Sequence, residues 1–137
     1  MKVRDALVAD PRVVASSAPI REAAELLGRP NVESVLVADG DRLVGVVTRN
    51  SLVAALARGD DLREATAGQI ADGEVETVGP DEQLDEVLVR MGEHDLERLA
   101  VVEGGRFLGV LPREPIVRRL AEDEPPPAGD EGDDASA

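Results

Sequence analysis

The chain has no cysteine, tryptophan or tyrosine, and only one Phe and one His. Without thiols there are no disulfides, thiolate metal sites or cysteine nucleophiles. The lone imidazole, His94, gives a transition metal too few ligands and leaves Ser16, Ser17, Ser34 and Ser51 without a base at a recognisable catalytic spacing. No nucleophile elbow and no phosphate-cradling glycine loop can be found. Neither enzymatic activity nor a required cofactor is expected. The scarcity of aromatic rings, joined to a net charge of −14, leaves no stacking platform and no basic stripe, so nucleic acid is not an expected partner. Long apolar runs are missing too. Nothing approaches the roughly 20 residues that span a bilayer, and the opening "MKVRDALVAD" lacks a signal-peptide core. A cytoplasmic protein with no direct membrane insertion is expected.

What is present suits one compact domain: 137 residues, 42% hydrophobic and 32% charged. The acidity is uneven. Residues 122–137, "EDEPPPAGDEGDDASA", carry seven acids and no base, which is half of the net charge, and offer little to bury. They are expected to form a disordered acidic tail. Among the bases only Lys2 is a lysine.

Shifting the chain against itself by 64 positions aligns residues 12–57 with 76–121 without a gap. Val14 meets Val78, Glu22 meets Glu86, Gly28 meets Gly92, Val37 meets Val101, and Gly45, Val46 and Arg49 meet Gly109, Val110 and Arg113. Identity spread over the whole length, with the apolar pattern kept between, marks a duplicated structural unit. Each copy opens with a short β-branched stretch. A helix follows, expected to start near Ser17 or Asp81, with apolar residues at helical spacing: Ile20, Ala23, Ala24 and Leu27, then Leu84, Val87, Leu88 and Met91. Gly28 and Gly92 stand where a helix would end. The stretches "SVLVADGDRLVGVV" and "RLAVVEGGRFLGVL" read as hairpins, and a last helix carries Leu52, Val53 and Leu56 or Ile116, Val117 and Leu120. The order is β-α-β-β-α, twice. A unit this small leaves much of its sheet uncovered, so the two copies should pack sheet to sheet about a pseudo-twofold axis, an α/β (α+β) fold with two clefts between them.

This organisation resembles a tandem pair of CBS domains, the cystathionine-β-synthase type repeat that pairs into a Bateman module. "VRDALVADPRVVASSAPIREAAELL" and "ESVLVADGDRLVGVVTRNSLVAAL", with the echoes "DEQLDEVLVRM" and "LERLAVVEGGRFLGV", carry the likeness. It divides the chain into repeat 1 (1–61), repeat 2 (62–121) and the tail. The resemblance implies a regulatory part rather than an enzyme, binding AMP, ADP, ATP or S-adenosylmethionine between the repeats. It implies a homodimer, and a regulated enzyme, channel or transporter as partner. The start at Met1 fits a stand-alone protein or the cytosolic part of a channel or transporter, and the acidic run to Ala137 reads as a natural C-terminus.

The family's ligand signature is Gly, two apolar residues, Ser or Thr, two variable residues and an Asp that grips ribose hydroxyls. The first copy runs Gly45-Val46-Val47-Thr48-Arg49-Asn50-Ser51, with Ser51 in place of the Asp. One hydroxyl holds a diol less strongly than a carboxylate does. The second copy has Pro112 and Pro115 at the two polar positions, so at most one adenosine cleft is expected. By the resemblance it is lined by Thr48, Asn50 and Ser51 facing Val75, Glu76 and Arg98, with Arg98 near phosphates. The rival reading is a ligand-blind dimerisation or docking module in which Thr48 only caps a helix. No transition-metal ligand set is expected, and a Mg²⁺-responsive acidic surface stays open.

Overall fold

The computed structural model describes residues 1–9 and 12–123. Most of the expected acidic tail therefore lies outside the described residues. A short 3-10 turn (Val3–Asp5) precedes β1 (Val13–Val14), α1 (Ile20–Leu27), β2 (Ser34–Asp39), β3 (Arg42–Thr48) and α2 (Arg49–Arg58). A one-turn helix, α3 (Ala67–Ile70), leads into β4 (Thr77–Val78), α4 (Leu84–Glu93), β5 (Arg98–Glu103), β6 (Arg106–Pro112) and α5 (Arg113–Asp123). The β-α-β-β-α order is present twice, and α5 runs two residues into the segment read as tail.

Each repeat folds as a three-stranded sheet, β1-β2-β3 or β4-β5-β6. The crossover joins parallel strands and the hairpin antiparallel ones. Registers obey the 64-residue shift: Val13 faces Leu36 as Thr77 faces Ala100, and Val37 faces Gly45 as Val101 faces Gly109. Helix α1 buries Ile20, Ala23 and Leu27, and α4 buries Leu84, Val87, Leu88 and Met91, as their spacing requires.

Both helices start three residues later than Ser17 and Asp81 suggest. Pro19 and Gln83 are held in extended backbone by β-bridges to Thr66 and Lys2, and proline also disfavours helix at Ala18. The glycines also differ from expectation. Gly28 closes α1 in ordinary right-handed backbone, while Gly92 lies inside α4. The left-handed residues that follow are Asn31 (φ 67°) and Asp95 (φ 55°), types whose short polar side chains tolerate it.

The bridges reveal an exchange. Val3, which precedes the strands of repeat 1, is fully buried among Val78, Leu84, Val87 and Met91 of repeat 2. Ala67 and Ile70, which precede the strands of repeat 2, are buried with Ile20, Ala23, Val35 and Val47 of repeat 1. Backbone bonds fix both arms: Leu84 N–H donates to the Met1 carbonyl (2.9 Å) and Ala67 N–H to that of Ala18 (2.8 Å). Further along, Val8 and Val110 bond reciprocally (2.9 and 2.8 Å), and so do Asp72 and Val46. A Cβ on Gly109 would lie 2.7 Å from the Val8 carbonyl oxygen, and one on Gly45 would overlap that of Asp72. These signature glycines are openings through which the exchanged arm reaches the sheet edge.

Between the sheets, Leu36, Ala100 and Val110 form a third cluster with Val13, Leu43, Val46, Val75 and Phe107 packed against it. This is the sheet-to-sheet seam. At one end the hairpin tips meet, where Arg106 Nε donates to Asp41 Oδ2 at 3.0 Å. The last helices stay outside the seam, leaving Val53 (63%), Leu56 (67%) and Val117 (39%) exposed.

Candidate functional site

Ser34 and Arg98, related by the 64-residue shift, open β2 and β5 and meet near the pseudo-twofold axis. Arg98 Nη1 donates to the Ser34 carbonyl at 3.2 Å. The guanidinium is half-buried, and that burial pulls its pKa below the ordinary arginine value. Arg98 lines three adjoining cavities. A small one of about 170 Å³ lies against the seam, walled by Leu36, Val46, Val75, Leu99 and Ala100, with Glu74 and Glu76 at its edge. A second, of about 210 Å³, includes Thr48, Ser34, Glu33, Arg12 and Asp95. The third and largest, about 680 Å³, is walled by Arg12, Asn31, Glu33, Glu97, Arg113, Glu114, Pro112 and Pro115.

Thr48 and Arg98 therefore share one cavity, and Val75 and Arg98 its neighbour. Asn50 is exposed on the first turn of α2 and Ser51 is half-buried there; neither lines these three cavities. Arg12, Asn31 and Arg113 were not singled out from the sequence. Applying the repeat shift to the candidate site would have found Arg12, because it is the counterpart of Glu76.

The polar signature groups of repeat 1 bond to each other. Ser51 N–H donates to Thr48 Oγ1 (3.2 Å), Thr48 N–H donates to Ser51 Oγ (3.0 Å), and the two hydroxyls are 3.1 Å apart. This is a reciprocal cap on α2. In repeat 2, Pro115 is the third residue of α5, where a first-turn N–H lacks a partner within the helix, and proline has none to satisfy. Pro112 accordingly has nothing to cap at that position. The two prolines replace the two hydroxyls as a matched pair. The intervening arginines keep a shared role: Arg49 donates to the Leu27 carbonyl at the end of α1, and the Arg113 guanidinium lies over Gly92, so close that a Cβ there would sit 2.9 Å from Nη2.

A family model described as "CBS domain" matches residues 3–58 and 67–122. The chain belongs to the CBS domain family. As a CBS pair it is similar to Hypoxic response protein 1 of Mycobacterium tuberculosis, 30% identical over 121 residues that make up 87% of this chain and 85% of that protein. Among solved structures, it is similar to the CBS domain pair of protein MJ0100 in complex with 5-methylthioadenosine and S-adenosyl-L-methionine (29% identity, TM-score 0.61, covering 88% of this chain and 99% of that one). It is also similar to CBSX2 in complex with AMP (26% identity, TM-score 0.68, covering 88% and 96%).

Proposed function

We propose that this CBS pair is a regulatory module that senses an adenosine-containing ligand, AMP, ADP, ATP or S-adenosylmethionine, in at most one inter-repeat cleft and transmits occupancy to a partner or fused protein. The observation that carries this reading is the apolar chamber at Val75, which opens onto Arg98 beside Thr48. It offers a flat base an apolar seat and a phosphate a guanidinium. The adenosine ligands held by two relatives support it. Binding acts by favouring one arrangement of the repeats over another. No catalytic role is assigned. The module is proposed to be cytoplasmic; among the described residues no helix is long and apolar enough to cross a membrane. It is proposed to homodimerise through the outward residues of α2 and α5, Val53, Leu56 and Val117.

One observation favours the second reading, a ligand-blind dimerisation or docking module. The Thr48 and Ser51 hydroxyls already cap α2, so a ribose finds no uncommitted signature group. Isothermal titration with AMP, ATP and S-adenosylmethionine separates the two. A saturable site, weakened about tenfold or more by Arg98→Gln, supports sensing. Silence at millimolar ligand leaves docking.

A further inference from the structure

The three cavities share lining residues in series and have unlike ends, which is the basis for reading them as one groove. Arg98 lines all three, Ser34 joins the first to the second, and Arg12 and Glu97 join the second to the third. The Val75 end is narrow and apolar. The end at Pro112 and Pro115 is wide and charged, and it alone of the three falls within the roughly 300–1,000 Å³ usual for a ligand site.

At the two signature positions the wide end carries Pro112 and Pro115, which supply a ribose neither hydroxyl nor carboxylate. It has much for phosphate. Arg12, Arg98 and Arg113 stand around one space, and the planar guanidinium fork matches phosphate oxygens better than any other side chain. Glu33, Glu97 and Glu114 share that wall and disfavour a bare polyphosphate. They suit one complexed with Mg²⁺, which is bound through one or two carboxylates together with phosphate oxygens.

We infer that a single nucleotide lies lengthwise in the groove, its base in the Val75 chamber and its Mg²⁺-complexed phosphate chain passing Arg98 to reach Arg12 and Arg113 across the pseudo-twofold axis. The inference rests on the adenosine reading above and adds a preference for nucleoside triphosphate over monophosphate. It also accounts for the two prolines: the second cleft holds the phosphate end of the ligand, not a second ribose.

The test is titration of the full chain with AMP, ADP and ATP in the presence of MgCl₂, beside Arg12→Gln and Arg113→Gln, with thermal unfolding as the check on folding. One nucleotide per chain is expected, with ATP bound about tenfold or more tighter than AMP. Arg12→Gln should weaken ATP by about tenfold or more and AMP by clearly less, because only the longer phosphate chain reaches it. Arg113 also packs against Gly92, so an unfolding midpoint kept by Arg113→Gln shows that any loss toward ATP is not a loss of fold. Equal affinities for AMP and ATP, two nucleotides per chain, or equal weakening of both by Arg12→Gln would overturn the lengthwise pose and leave the adenosine reading standing. No binding of any nucleotide overturns both.

Discussion

Thr48 and Ser51 bond to each other's backbone N–H at 3.2 and 3.0 Å, which makes the signature of the first repeat a helix cap in its own right. Thr48→Ala is expected to cost about 1 kcal/mol of stability. After Ser51→Pro the same change should cost less than half as much, because the N–H that Thr48 caps is gone. Urea unfolding of the two single variants and the double variant measures this coupling. Additive costs would show that the cap contributes nothing.

Gly45 and Gly109 admit the exchanged arms, so their substitution should fail for a reason unrelated to ligand. Gly45→Ala and Gly109→Ala each push a methyl group into a backbone carbonyl and are expected to cost about 1–3 kcal/mol. Among the described residues nothing lies within 4 Å of where a Cβ on Gly73 would stand. Gly73→Ala should leave the unfolding midpoint unchanged and serves as the control.

Two carboxylates connect stability to acid. The Asp39 pKa is lowered, chiefly by the Ser16 hydroxyl that donates to Oδ2 at 2.6 Å. The Asp81 pKa is lowered, chiefly by the side-chain hydrogen bond from Arg4 at 2.9 Å. A folded-state pKa below the unfolded value of about 3.9 means stability that is fully present above that value and lost as pH falls through the folded pKa. The melting temperature should therefore drop as pH descends from about 4. The double variant Asp39→Asn, Asp81→Asn should start lower and drop less over the same descent. An unchanged slope would place the acid sensitivity elsewhere.

The outward face of α2 and α5 makes its own prediction. Light scattering at micromolar concentration should give the wild type twice the chain mass, and Leu56→Glu a single chain mass with the fold intact, since Leu56 is 67% exposed in the monomer. A wild type of single chain mass would leave this face to another protein.

The repeats were legible in the sequence because an ungapped shift superimposes two buried patterns, and such patterns record which residues are covered. They do not record what covers them. Val3 and Ala67 read as small apolar residues near a boundary, and no local signal tells that each completes the opposite core. The late helix starts have the same origin: Ser17 looks like a cap until the bridge from Pro19 to Thr66 is seen. At the site, Thr48 and Arg98 line one cavity while Asn50 and Ser51 do not. A cap by Thr48 belonged to the rival reading, whereas the return bond through Ser51 was not read from the sequence. Arg12 and Asn31 escaped notice because they reach the groove from turns, where periodicity is silent.

The exchange of leading arms has a consequence for ancestry. A single repeat cannot close its own core, because the residues that finish it lie ahead of the other copy. Expressed alone, such a repeat should either trade arms with a second molecule or remain unfolded. The present chain is then an obligate couple written onto one strand, and duplication brought the partner within reach rather than adding a second independent fold.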